Sequence, residues 1–208
     1  MKKLSYKKKL IIFDLDGVLI DSKINMKFAW QAVNKKFKLR VSFKKYFNHI
    51  GRPFDKILNA LKIYKDIQDI EKEFSRASIR NIKKIKLYKD VKKTFKYLKK
   101  NKIKTAIVTS KSLDRTKKIL RLFKIKVDEL QCPSKKLRGK PFPDQIIKVI
   151  GKLKIKKKNC VYVGDTKFDA IASKKSNIDF ALATYGYKIG IKKSKINIKN
   201  IFQITKFI

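Results

Sequence analysis

Three short apolar runs stand out along the chain because they do not alternate with polar residues. They are Leu10-Ile11-Ile12-Phe13, Thr105-Ala106-Ile107-Val108 and Cys160-Val161-Tyr162-Val163. A half-exposed strand alternates, so an unbroken run fits a strand buried on both faces, as parallel strands are when helices cover them. Val127–Cys132 and Asp179–Ala183 are further strand candidates. Between the runs the apolar period lengthens to that of a helix. Asp90 stands as N-cap before a face of Val91, Phe95 and Leu98 that ends near Asn101. Ser112 stands before Thr116, Ile119, Leu120 and Phe123, and Asp144 before Ile146, Val149, Ile150 and Leu153. Strands alternating with such helices predict an α/β fold with a doubly wound parallel sheet.

The segment 23–84 departs from this rhythm. It carries helical faces (Trp30, Val33, Phe37; Phe54, Ile57, Leu58, Leu61; Ile67, Ile70, Phe74, Ala77) and no convincing strand. It is too long for an ordinary crossover, since such connections are short. The division expected is therefore an α/β core from 1–22 and 85–208, with 23–84 as a small inserted α-helical cap. Several helices packed on one sheet face is the alternative.

Composition changes the picture in one respect. The 208 residues hold 57 Lys+Arg against 16 Asp+Glu, a formal net charge of +41. So basic a chain invites a nucleic-acid reading, because phosphate contacts by Lys and Arg supply most non-specific affinity. Yet 50 of the 57 cations are lysines, spread along the whole chain, while arginine, the better bidentate phosphate ligand, contributes seven. Isoleucine is also frequent (29), and Ala (9), Gly (7) and Pro (4) are scarce. The joint bias reads as compositional drift, and nucleic acid is not the partner expected. Cys132 and Cys160 form no metal-ligand spacing and are expected as ordinary buried thiols. The longest stretch without a charge is Phe180–Tyr187, too short for a membrane span. The lysine-rich Met1–Lys9 is followed by only four apolar residues before Asp14, too few for a signal peptide, so a cytoplasmic protein is expected.

In an open α/β sheet, ligands bind beyond the carboxyl ends of the strands. All three runs place polar residues there: Asp14-Leu15-Asp16-Gly17, Thr109-Ser110, and Gly164-Asp165-Thr166-Lys167-Phe168-Asp169. Carboxylates converging on one rim repel each other, and a divalent cation such as Mg²⁺ is the natural compensation. Lys140, in Gly139-Lys140-Pro141-Phe142-Pro143-Asp144, supplies a cation just before a helix. Metal, hydroxyl and lysine around one carboxylate suit a phosphoryl group.

The order and spacing of these motifs resemble the haloacid dehalogenase-like hydrolases from Leu10 to about Tyr187, with a Rossmann-like core. Asp14-Leu15-Asp16-Gly17-Val18-Leu19-Ile20-Asp21-Ser22 resembles the first motif, Thr109 the second, Lys140 the third, and Gly164-Asp165 with Asp169 the fourth. Within the superfamily the chain is most similar to the phosphoglycolate phosphatase group, Tyr185-Gly186-Tyr187 included. It departs from that group at Ser173-Lys174-Lys175-Ser176-Asn177, where a small-residue helix ending in Gly is usual. The resemblance implies Asp14 as nucleophile forming an aspartyl-phosphate, and Asp16 as general acid and base. It implies a tight turn at Gly17, phosphoryl contacts from Thr109 and Ser110, and charge compensation by Lys140. Mg²⁺ would be held by Asp14, the carbonyl of Asp16 and Asp165, with Asp169 supporting that site or the lysine. Arg52, in Gly51-Arg52-Pro53 of the cap, is the candidate for a second anionic group on the substrate, while His49 and Trp30 are expected as surface and core residues.

The function expected is a Mg²⁺-dependent phosphatase acting on a small anionic phosphorylated metabolite such as phosphoglycolate, with no membrane partner. The alternatives are a sugar-phosphate mutase of the beta-phosphoglucomutase type and a basic nucleic-acid-binding protein on a hydrolase scaffold. The mutases share Asp14-x-Asp16-Gly17-Val18 but usually carry a His soon after it, and none occurs between Ser22 and Asn48.

Overall fold

The computed structural model describes residues 7–134 and 136–208, so most of the lysine-rich start weighed against a leader lies outside the described residues. The three apolar runs lie in β1 (Leu10–Phe13), β4 (Lys104–Val108) and β6 (Cys160–Gly164), adjacent in one sheet. Together with β5 (Glu129–Gln131), β7 (Asp179–Ala183) and β8 (Ile196–Ile198) they form a parallel six-stranded sheet in the order β5-β4-β1-β6-β7-β8. Their side chains divide between two cores. Ile11, Phe13, Ile107, Val161 and Val163 face one layer, and Leu10, Ile12, Ala106, Val108, Cys160 and Tyr162 the other. Two buried faces are the reason these strands show no alternation.

The helices between them are α5 (Val91–Lys100), α6 (Leu113–Phe123), α7 (Asp144–Leu153) and α8 (Lys167–Ser176). Two expected caps are not made: Asp90 and Ser112 precede their helices, but neither side chain accepts a capping hydrogen bond. Asp90 has a positive φ of 67°, which turns it out of capping geometry, and the Ser112 hydroxyl is buried without a partner. The strand expected over Val127–Cys132 shortens to Glu129–Gln131 at the sheet edge, and β8 has no counterpart in the sequence reading. Helix ends show how a glycine-poor chain terminates: Lys38, Lys124, Lys154 and Asn177 take the left-handed conformation that glycine usually supplies. Asn177 does so at the departure from the phosphoglycolate phosphatase pattern.

Segment 23–84 holds α1 (Lys23–Phe37), α2 (Phe43–Phe47), α3 (Phe54–Ala60), α4 (Ile67–Arg80) and one 3₁₀ turn. These helices enclose a separate core of Trp30, Val33, Tyr46, Ile57, Leu58, Ile70 and Phe74, among others. Trp30 stacks on Tyr46 at 4.4 Å and donates to the Val41 carbonyl at 2.7 Å. The chain enters and leaves this layer through two short strands, β2 (Ile20–Asp21) and β3 (Lys86–Leu87), paired antiparallel. Pairing ties the two crossings together, so the helices sit over the carboxyl end of the sheet on a double stem. Cys132 and Cys160 are both free and buried.

Candidate active site

The first catalytic candidate follows directly from strand burial. Asp14 is the next residue after β1, so its backbone stays in the sheet, its N–H donating to the Val163 carbonyl at 2.9 Å. Its side chain emerges at the sheet's carboxyl rim, only 3% exposed. Lys140 Nζ reaches Asp14 at 2.9 Å and Asp169 at 2.6 Å, and is itself buried. Burial pushes the Asp14 carboxyl up, Lys140 draws it back, and Asp169 and Asp16 raise it again, leaving it at about 7. Lys140 is held above the usual lysine range because its two carboxylates outweigh its burial.

Asp169 takes more donors than the others. It accepts from Lys140 and the Tyr162 hydroxyl through Oδ1, and from the Asp165 and Thr166 N–H groups and the Thr166 hydroxyl through Oδ2. With Thr166 it also closes a capping box at the start of α8. Its oxygens are thus engaged in positioning Lys140 and the Asp165 loop. Asp165 differs. Its Oδ2 accepts from the Tyr187 N–H at 2.7 Å, and its Oδ1 is buried with no partner. Burial, Asp169 and Asp14 push the Asp165 carboxyl well above its ordinary value. Carboxylate oxygens of Asp14, Asp165 and Asp169 lie within 4.8 Å of one another.

Gly17 is required by this crowding. It sits at φ +79°, and a Cβ there would stand 2.0 Å from Asp165 Oδ2. Asp16, two residues beyond Asp14, turns to the other side: its carboxylate accepts from the Ser22 hydroxyl and pairs with Lys111 at 3.1 Å. Burial raises its carboxyl, but Lys111, Ser22 and Arg115 outweigh that and hold it below the usual range. Lys111 is lowered by its own burial and by Arg115, to about 8.

Thr109 is buried at the end of β4, its hydroxyl accepting from the Lys111 N–H at 3.2 Å. Ser110 donates its hydroxyl to the Gly51 carbonyl at 3.1 Å, which joins the loop after β4 to the helical layer. Arg52 lies over the Phe168 ring at 4.3 Å, and His49 is half-buried. Of these, Asp14, Asp16, Arg52, Thr109, Ser110, Lys111, Arg115 and Lys140 line a cavity of about 60 Å³ between the sheet rim and the helices, while Gly17, Asp165, Asp169 and His49 do not.

Lys111, Arg115 and Tyr46, with Glu71, Met26 and Ile50, line this cavity and were not singled out from sequence. Lysine is too common here for Lys111 to stand out, and Arg115 lies within an amphipathic helix where a cation reads as surface. Tyr187 is another. Its hydroxyl accepts from the Ser22 N–H at 2.8 Å and donates to Asp21 at 3.0 Å, locking the stem to the rim.

Comparison with known proteins places the chain in a family and a fold. A sequence profile of the haloacid dehalogenase-like hydrolases matches residues 11–183. The phosphoglycolate phosphatase of Aquifex aeolicus is 27% identical over 183 residues, covering 86% of each chain. The provisionally named pyrophosphatase PpaX of Caldanaerobacter subterraneus is 27% identical over 215 residues, covering 95% of this chain and 93% of its own. Among solved structures, a hydrolase from Pseudomonas syringae superposes with a TM-score of 0.84 at 19% identity, over 96% of this chain and 97% of that one. CbbY of Rhodobacter sphaeroides, solved in complex with phosphate, gives 0.82 at 14% identity, over 95% and 96%. The profile spans most of the chain, and the chain belongs to the haloacid dehalogenase-like hydrolases.

Proposed function

We propose that the protein is a Mg²⁺-dependent phosphatase that hydrolyses a small phosphomonoester, phosphoglycolate or one like it, through an aspartyl-phosphate on Asp14. The observation that carries this reading is the pairing of Asp14 with Lys140 at 2.9 Å beside Thr109 and Asp16, all facing one small cavity. Phosphoglycolate phosphatases among the similar proteins support it.

The donor set fits a hard divalent cation. Three carboxylates share one counter-charge, Lys140, and the buried Asp165 Oδ1 lacks any partner. Asp14, Asp165 and the Asp16 carbonyl would hold it, with Asp169 acting through Lys140. Bound there, Mg²⁺ would keep these carboxylates ionised and offset the charge of the phosphoryl group.

The chain's own residues do the rest. An Asp14 oxygen attacks phosphorus, and the bond to the ester oxygen breaks as Asp16 gives that oxygen a proton. Thr109 and Lys140 bind the phosphoryl oxygens. Asp16, again a carboxylate, takes a proton from water, whose oxygen attacks phosphorus and releases phosphate and Asp14. In the free protein Lys111 and Ser22 hold Asp16 ionised, the form this second step needs. An anionic substrate beside Lys111 offsets that lysine's charge and readies Asp16 to carry a proton for the first step. We also propose that 23–84 is the cap that closes over this reaction, with Ser110–Gly51 and Phe47–Tyr187 as its contacts.

The test is phosphate release from a panel of small phosphomonoesters with Mg²⁺ or EDTA. The wild type should release phosphate only with the metal, and Asp14→Asn should release none. Release that persists in Asp14→Asn would refute the assignment of the nucleophile.

A further inference from the structure

Two cations at the cavity have no acid of their own. Lys140 is taken by Asp14 and Asp169, and Lys111 by Asp16. Arg52 and Arg115 make no salt bridge and no side-chain hydrogen bond among the described residues, and the Nε of each is shut away from water with no acceptor. Asp16 and Glu71, the latter the remaining acid of the cavity wall, attract Arg115 from a distance, but neither closes an ion pair with Arg115 or Arg52. Arg115 is the more telling of the two. It is 7% exposed, rises from the first turn of α6, and lies 4.9 Å over the Phe74 ring of the helical layer. The Ser112 hydroxyl at the start of the same helix is also buried without a partner.

A guanidinium Nε shut away from water without an acceptor is unfavourable, and stacking on an aromatic ring offsets only part of that. Its planar fork is suited to a carboxylate or a phosphoryl group held by two parallel bonds. Where most cations are lysines, two of the seven arginines line this one cavity.

We propose that Arg115 is a specificity-determining residue. With Arg52 from the loop before α3 and the Ser112 hydroxyl, it receives a second anionic group of the substrate whose phosphoryl group meets Asp14. The inference rests on the phosphatase reading above and deepens it: the substrate is a small dianionic ester, its second group a carboxylate or a second phosphoryl.

The experiment measures binding without turnover, by calorimetry with Mg²⁺, for wild type, Arg115→Gln, Arg115→Lys and Arg121→Gln, the last an exposed arginine of the same helix. The probes are methylphosphonate, with one anionic group, and phosphonoacetate and methylenediphosphonate, with two. Wild type and Arg121→Gln should bind at least one two-headed probe at least about tenfold more tightly than methylphosphonate, as a charged hydrogen bond predicts. Arg115→Gln should erase that advantage while holding methylphosphonate within about threefold, and Arg115→Lys should keep part of it. If Arg115→Gln fails to fold, loss of at least about threefold of the advantage in Arg115→Lys carries the same conclusion. Whichever two-headed probe gains more identifies the second group. No advantage in the wild type, or an equal loss for all three probes in Arg115→Gln, overturns the proposal. An Arg115-dependent advantage in a protein that releases phosphate from no ester supports the anion site and counts against the phosphatase reading alone.

Discussion

Replacing Lys140 by methionine removes one charge from the most enclosed ion cluster of the protein while keeping an unbranched chain of similar length. The ammonium is 1% exposed and bonded to two carboxylates whose side chains are 5% and 0% exposed. Its removal leaves Asp14, Asp169 and Asp165, whose Oδ1 already lacks a partner, facing one another with no cation. Breaking a buried pair from one side costs about 3–5 kcal/mol, because the stranded charge keeps its desolvation penalty. For a chain of this size that is a fall in Tm of roughly 6–20 °C. Thermal unfolding at pH 8 in EDTA measures it, with the exposed Lys148→Met as control, expected within about 0.5 kcal/mol of wild type. Protonation relieves the repulsion, so the deficit of Lys140→Met should shrink markedly at pH 5. A deficit under about 1 kcal/mol at pH 8, or one as large at pH 5, would refute the view that Lys140 is the electrostatic keystone of the rim.

Three further outcomes follow from the same geometry. Asp165→Asn should raise Tm in EDTA at pH 8, since it removes a carboxylate that burial and its neighbours push well above its ordinary value; Mg²⁺ should raise the Tm of the wild type and leave that of the variant unchanged. In EDTA the wild type should lose stability as pH rises from about 4 to about 7: Asp14 goes from 3.8 to about 7 on folding, so the folded state keeps a proton that the unfolded chain has given up. That contribution is complete below pH 4, is on the order of 4 kcal/mol, and is read by urea titration across the range. Lys124→Gly and Lys154→Gly, each at a left-handed helix end, should each stabilise the protein by up to about 1 kcal/mol in the same assay, because glycine adopts that conformation without a Cβ clash.

Much of the site was legible because burial on both faces leaves a mark in one dimension. Unbroken apolar runs gave β1, β4 and β6, and the residues that follow them gave Asp14, Asp16, Thr109 and Asp165 at one rim. Lys140 was legible from its Gly and Pro neighbours despite forty-nine other lysines. The stem strands and one edge strand were not: β2, β3 and β8 are two or three residues long, too short for a period to register, while the equally short β5 lay within a longer expected stretch. The expected caps at Asp90 and Ser112 failed because capping depends on backbone angles that tertiary packing sets after the residue type is fixed.

What the sequence by itself determined was therefore the α/β class, the buried strands β1, β4 and β6 and the polar residues that follow them, all consequences of local period and of which residue follows a buried strand. The tertiary structure alone decided the pairings. Lys111 with Asp16, Tyr187 with Asp165 and the stem, and Arg115 over Phe74 join residues distant in the chain. No periodicity encodes such contacts, and in a chain of fifty lysines no charge count separates a buried ammonium from a solvated one. Desolvation makes that distinction, and it exists only once the helical layer has closed over the sheet.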